Sequence, residues 1–268
     1  VTDIINRIQR MQCPSTEAQF ERSQLILNAT EWLIETQGLI AFKISDLANH
    51  AGIANSSLYK LFESKEDLLV CCFLRNATSN HFAPFEAQYP DLTPIQRVLI
   101  PIMFTFEATH FAPTFNLVRQ VAVNPMVWRR ASPEKVKTFE TRINLFWRAI
   151  KGYVVEAVES GDLVATEEEV LELTQAITFY LSGALSAYQS QLINNTYLKE
   201  KRYTLFRQLQ KVFLPYQWRQ QMELTDFERI GMRVHLYYRQ LGETFNRCER
   251  CQQAGQCGAG TSPSMATE

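Results

Sequence analysis

The sequence predicts an all-α chain of about ten helices, and three observations carry that expectation. Apolar residues recur at spacings of three and four, no run alternates as a strand would, and capping residues stand ahead of the apolar stretches. With 268 residues and 46% hydrophobic content, the chain can bury a sizeable core and divide into two domains. The divisions read as an arm over 1–20, a three-helix unit over 21–75, a larger helical domain over 76–247 and a Cys-containing tail over 248–268.

The stretch Ile44–Leu69 contains the most specific signal. Leu47, Ala48 and Ala51 form one apolar face of a short helix, which stops where Gly52 permits a sharp turn. Ile53 plugs the corner. A second helix starts at Asn55 or Ser56, turning Leu58, Leu61 and Phe62 inward and leaving Ser56, Ser57, Tyr59 and Lys60 outward. Ser64 followed three residues later by Asp67 reads as a capping box with a shortened acid, so a third helix begins at Lys65 and turns Leu68 and Leu69 inward. Helix, Gly turn and helix in this order make a helix-turn-helix DNA reader, whose second helix offers its start to base edges. Lys65 at a helix N-terminus, with the Tyr59 hydroxyl and the Lys60 ammonium, suits phosphate oxygens.

These residues resemble the DNA-binding domain of the tetracycline-repressor (TetR) family over roughly residues 22–72. The run "LYKLFESKEDLL" is similar to the family's signature ending, and Ile26, Ala29, Leu33 and Gly38 match its first helix and the Gly after it. The resemblance implies an N-terminal three-helix reader followed by a helical ligand-binding and dimerisation domain. Departures fall at the start of the recognition helix, where Ala54, Asn55, Ser56 and Ser57 replace the usual Ser, Lys or Arg, Gly and Thr. Leu61 stands where a His is frequent and Lys43 where a Thr is common, so Asn55 is left to cap or to read a base and Lys43 to hold phosphate by charge. The DNA-binding set is therefore Lys43, Ser45, Asn55, Ser56, Ser57, Tyr59, Lys60 and Lys65.

Beyond Arg75 the helix starts are marked by Thr93 before Pro94, Ser132 before Pro133, Thr166 with Glu169, and Thr225 with Glu228, the last opening a helix to about Arg247. Pro101, Pro113 and Pro125 should shorten or kink the early helices. The segment 98–147 is dense in bulky groups, and the expected effector pocket draws on Phe104, Glu107, His110, Phe111, Phe115, Arg119, Trp128 and Trp147; ordinary core packing has the same pattern. Leu173, Ile177, Leu181, Leu185 and Tyr188, with Leu205 and Leu209 on a later helix, fit either an intrachain core or the late-helix dimer bundle that the resemblance implies.

The remaining features bound the function. Residues 1–75 carry seven Lys/Arg against nine Asp/Glu, so DNA contact depends on where the cations sit, and a dimer would double them. Arg7, Arg10 and Arg22 offer the arm a second DNA contact. Cys248, Cys251 and Cys257 have the spacing of a partial zinc or iron–sulfur site whose fourth ligand, Cys13 or His235 for example, no spacing indicates; a reduced tail is the simpler alternative. Cys71 and Cys72 read as buried packing. No run approaches the ~20 apolar residues that span a bilayer, and the opening lacks the apolar centre of a secretory signal, so the expected location is the cytoplasm. No catalytic motif stands out. The expected function is a homodimeric, non-enzymatic transcription regulator, a repressor on a palindromic operator, modulated by a small-molecule effector and requiring no cofactor. Two alternatives stay open: metal or redox sensing through the C-terminal cysteines, and a helical protein-interaction module localised by DNA binding.

Overall fold

A computed structural model describes residues 17–198 and 201–241. Arg7, Arg10 and Cys13, the tail cysteines Cys248, Cys251 and Cys257, and the last residues of the expected Thr225–Arg247 helix lie outside the described residues.

Helix α1 (Glu17–Gln37) buries Ile26, Ala29, Leu33 and Ile34 and ends at Gly38, whose φ of 85° is reached without a Cβ penalty. Helices α2 (Ile44–His50) and α3 (Asn55–Leu61) flank Gly52, at φ 66°, and α4 (Lys65–Arg75) follows. Leu47, Ala48, Leu58, Phe62 and Leu68 close the small core against α1. Trp32 stacks on His50 with ring centroids 4.0 Å apart, bracing α1 on the end of α2.

Helix α4 is shared by both domains. Every residue from Asp67 to Leu74 is buried, because the helix packs on α1 from one side and on α7 (Pro113–Ala122) and α9 (Pro133–Glu159) from the other. Phe73 meets Phe139 of α9 edge-on at 4.9 Å and Phe115 of α7 at 6.1 Å. Arg75 ion-pairs with Glu31 and donates to Asn28 at 2.6 Å, fastening the helix end to α1.

A 3₁₀ turn (Thr78–His81) leads into α5 (Phe82–Gln88) and then α6 (Pro94–Phe111), the central helix of the larger domain. Helix α6 packs chiefly on α9 and on α12 (Leu224–Gln240), while α10 (Glu167–Ser190) packs between α9 and α11 (Lys201–Phe213). The capping box expected at Thr166 with Glu169 forms, and Thr93, expected as a cap ahead of Pro94, caps α6 and gains Gln96 as a reciprocal partner.

Other sequence expectations are corrected. Pro101 does not interrupt α6, and Pro113 and Pro125 instead occupy the first positions of α7 and of the four-residue α8 (Pro125–Trp128), where a missing N–H costs nothing. The last helix starts two residues early, because Glu223 and not Thr225 caps it, with Asp226 as the reciprocal partner. Asp226 also accepts from Gln96 at 2.8 Å, a tertiary bond that local spacing cannot reveal. A two-residue antiparallel bridge pairs Leu163 with Trp218 and Val164 with Gln217, too short to show as alternation. Among the described residues there are twelve α-helices rather than ten, and no single helix is long and apolar enough to cross a membrane.

Candidate functional site

The reader's outward surface assembles from three short segments. Helix α3 begins without a side-chain cap, since Ala54 occupies the cap position, so Asn55 does not take the capping role and its amide stays exposed. Ser56, Tyr59 and Lys60 are exposed on the same helix, Ser57 is half-buried, and Lys43 and Ser45 are exposed at the start of α2. Leu58 at 0% and Phe62 at 2% exposure face inward and fix which side of α3 looks out. Ser45 donates to the neighbouring Asp46 at 3.2 Å, so its hydroxyl is already oriented. Arg22 is exposed on α1.

Lys65 is placed differently from the free phosphate ligand expected of it. Its Nζ donates to the carbonyls of Phe42 at 3.0 Å and Ile40 at 3.2 Å, and it lies 3.9 Å above the Phe42 ring. Burial draws its pKa below the ordinary lysine value, with Glu66 acting in the opposite sense. Two of the three ammonium donors therefore brace the turn between α1 and α2. One is left for a ligand.

Asp67 has the part that sequence reasoning missed. Its backbone N–H donates to Ser64 Oγ at 3.1 Å, as the capping spacing predicts. The carboxylate, at 0% exposure, accepts from Glu63 N at 2.9 Å, Ser132 N at 2.7 Å, Ser132 Oγ at 3.1 Å and Lys135 Nζ at 3.1 Å. Ser132 and Lys135 belong to the start of α9, so one buried side chain ties the reader to the helical domain. Ser132 consequently caps α9 without its side chain, which is turned to Asp67. Beside this junction runs an interdomain cleft of about 390 Å³ bordered by Lys60, Phe62, Ser132 and Lys135.

Of the residues expected to line an effector pocket, Phe104, Glu107, His110 and Phe111 gather around His235 and Tyr238 of α12, and the other four lie elsewhere. Phe104 is wholly buried among His81, Phe82, Phe85, Tyr237 and Tyr238. Glu107 meets His235 Nδ1 at 3.0 Å in a buried pair, with the His110 and Phe111 rings tilted against that imidazole. Phe115 packs in the α4–α7 seam, Arg119 donates to Asn116 at 3.1 Å, Trp128 sits on α8 beside Arg129, and Trp147 meets Phe179 at the α9–α10 surface. A cleft of about 440 Å³ opens instead on another face of α6, lined by Phe106, Thr109, Asn116, Leu185, Tyr188, Gln189 and Gln191. The expected helix contributes to it, but through different residues.

The apolar stripe expected at a dimer interface is also corrected. Leu173, Ile177, Leu181, Leu185, Leu205 and Leu209 are buried inside the single chain, and Tyr188 is half-buried in the cleft. The outward stripe of α10 is Leu171, Phe179, Ser182 and Ser186, with Phe179 66% exposed. Gly183 beside it has nothing within 4 Å of an added Cβ. Cys71 and Cys72 are buried, and burial raises the Cys72 pKa. Among the described residues no group of His, Cys, Asp and Glu is arranged to hold a metal ion.

Residues 26–71 match the family model for bacterial regulatory proteins of the tetR family. The fold is similar to that of the transcriptional regulator FadR from Bacillus subtilis, solved with stearoyl-CoA, at 18% identity and a TM-score of 0.51 over 68% of this chain and 95% of that one. It is also similar to a tetR-family regulatory protein from Rhodococcus RHA1, at 15% identity and a TM-score of 0.53 over 74% and 98% of the two chains. No curated protein matches the chain. The likeness to these structures shows the fold, and the matched segment, with its Gly turn, inward Leu58 and Phe62 and outward α3 surface, is similar to the DNA reader of tetR-family regulatory proteins.

Proposed function

We propose that the protein is a homodimeric repressor that acts in the cytoplasm, holds a palindromic operator through two copies of α3 and is modulated by a small organic effector taken up by the helical domain. The observation that carries this reading is the division of α3: Asn55, Ser56, Tyr59 and Lys60 face outward, beside Lys43, while Leu58 and Phe62 anchor the helix from behind. Donors of two kinds are then available. Lys43, Lys60 and the Tyr59 hydroxyl suit phosphate, whereas Asn55 and Ser56 have the size and hydrogen-bonding capacity to read base edges. The similarly folded FadR was solved in complex with stearoyl-CoA, so a protein of this fold accommodates an organic ligand. An effector releases DNA only if it binds the DNA-incompatible arrangement more tightly.

The test is a footprint on the promoter beside the protein's own gene, followed by a salt titration. Lys60→Ala should weaken binding to all sequences alike and flatten the dependence of log K on log salt by about 2, one phosphate contact per protomer. Asn55→Ala should instead change sequence preference. An unchanged salt slope in the Lys60 variant, or no protected site at all, overturns the reading.

The dimer is assigned to the outward stripe of α10. Placing a carboxylate at its most exposed ring, Phe179→Glu, should convert the dimer to monomer by sedimentation and remove the cooperative half-site contact. A variant that stays dimeric would place the two-fold elsewhere.

A further inference from the structure

Helix α9 carries a cation in an unusual position. Arg142 is 5% exposed, yet among the described residues it has no carboxylate partner, no hydrogen bond and no aromatic ring under its guanidinium. Its neighbours one turn away on the same face, Phe139 and Phe146, pack against Phe73 and Phe82. Burial lowers the Arg142 pKa, and no opposing carboxylate contributes. Isolated buried charge is strongly unfavourable unless something pairs with it. Among the described residues, two part-buried cations are paired, Lys135 with Asp67 and Arg75 with Glu31, while Arg119 has the neutral Asn116 as acceptor.

Two further polar atoms in the same neighbourhood are orphaned. His81 Nδ1 and the Tyr237 hydroxyl are both buried without a hydrogen-bond partner among the described residues, and their rings lie 5.9 Å apart. The 3₁₀ turn that carries His81 packs on α9, close enough for the Arg142 charge to act on the imidazole. Burial, with Arg142 second, pushes the His81 pKa down to about 4, so the ring is neutral near pH 7 and presents one N–H. Burial raises the Tyr237 pKa to about 12, which keeps its hydroxyl a donor.

We infer that Arg142, His81 and Tyr237 form a binding site for an organic monocarboxylate, whose apolar body runs along α9 toward the half-buried Phe146. A guanidinium fork matches the two oxygens of a carboxylate, and a phenol and a neutral imidazole N–H supply the remaining donors. The aromatic surroundings favour a body that is apolar, not a second charge. This inference deepens the effector part of the proposed function; it rests on that reading for coupling to DNA, and not for binding itself.

Calorimetry and thermal denaturation of the full chain, without DNA, test the site with octanoate and 4-phenylbutyrate as probes, the corresponding primary amides as neutral matches, and sulfate as a simple anion. The carboxylates should bind saturably and raise Tm, while the amides and sulfate should not. Arg142→Met should leave the Tm of the protein alone unchanged or higher, because the guanidinium has no protein partner to lose, and should weaken carboxylate binding about 10- to 100-fold. Tyr237→Phe, a smaller change, should weaken it about 3- to 10-fold with the fold intact. The site is overturned by no saturable carboxylate binding, by equal response to amides or sulfate, or by an Arg142→Met protein that loses stability. Fluorescence anisotropy with the footprinted promoter fragment separates the two claims. Carboxylate binding that leaves DNA affinity unchanged overturns the effector reading alone, and intact DNA binding without carboxylate uptake overturns the site alone.

Discussion

Replacing Asp67 with alanine is expected to destabilise the protein by about 3–5 kcal/mol, which for a chain of this size lowers Tm on the order of 10 °C. The carboxylate is fully buried and receives four hydrogen bonds, two of them from Ser132 and one from Lys135 across the domain boundary. Its removal leaves the Lys135 ammonium, itself 12% exposed, without its counter-charge and strips the Glu63 and Ser132 amides of their acceptor. The Ser64 cap is untouched, because it uses the Asp67 backbone N–H. Thermal denaturation of Asp67→Ala, Lys135→Met and the double variant checks the account. The double variant should recover part of the loss, since the stranded charge is gone. A single variant within about 2 °C of the parent would show that solvent replaces these bonds and that the junction is not buried as described.

Phe104→Ala should cost about 3–5 kcal/mol, the range for removing a large aromatic side chain from a closed core. Five rings surround Phe104 at centroid distances from 5.1 Å for Phe85 to 6.0 Å for His81. Edge-on and tilted packing of this kind adds to the area term. The comparison is Tyr197→Ala, where a ring of similar size is 83% exposed and its loss should lie within about 0.5 kcal/mol. Denaturant midpoints for the two variants decide between core and pocket wall. Near-equal midpoints would mean that Phe104 borders open space, as the sequence reading proposed, and would require the aromatic cluster to be looser than it is here.

What could be read from residues alone is what depends on neighbours in the chain. The Thr93 cap ahead of Pro94, the box at Thr166 with Glu169, the Ser64 cap and the Gly52 turn all involve residues within a few positions of each other, and all four are present. The reader was legible for the same reason. Features that depend on distant residues were not. A leucine stripe at spacings of three and four states that a helix has a buried face but not what covers it, so Leu173 to Leu185 fit a dimer seam and an intrachain core equally until α9 and α11 were seen against them. On α6, whose residues are buried on all sides from Val98 to Ala108, periodicity cannot select the face that borders a cleft, and Phe106 was passed over for Phe104. Lys65 and Asp67 misled differently: local spacing identified both as helix-start residues, while their side chains serve carbonyls at Ile40 and Phe42 and donors at Ser132 and Lys135.

The double allegiance of α4 bears on how such regulators can be recombined. A reader transplanted from a relative by cutting after residue 75 would bring its own α4, but that helix would meet an α7 and an α9 shaped for Phe73 and Asp67 of this chain. Chimeras should therefore work only when the splice falls before Ser64, or when the corner at Ser132 and Lys135 travels with the foreign reader. The three-helix unit is a separable module in sequence but not in folding, and exchanging DNA specificity between such proteins is a matter of grafting the surface of α3 onto a resident scaffold.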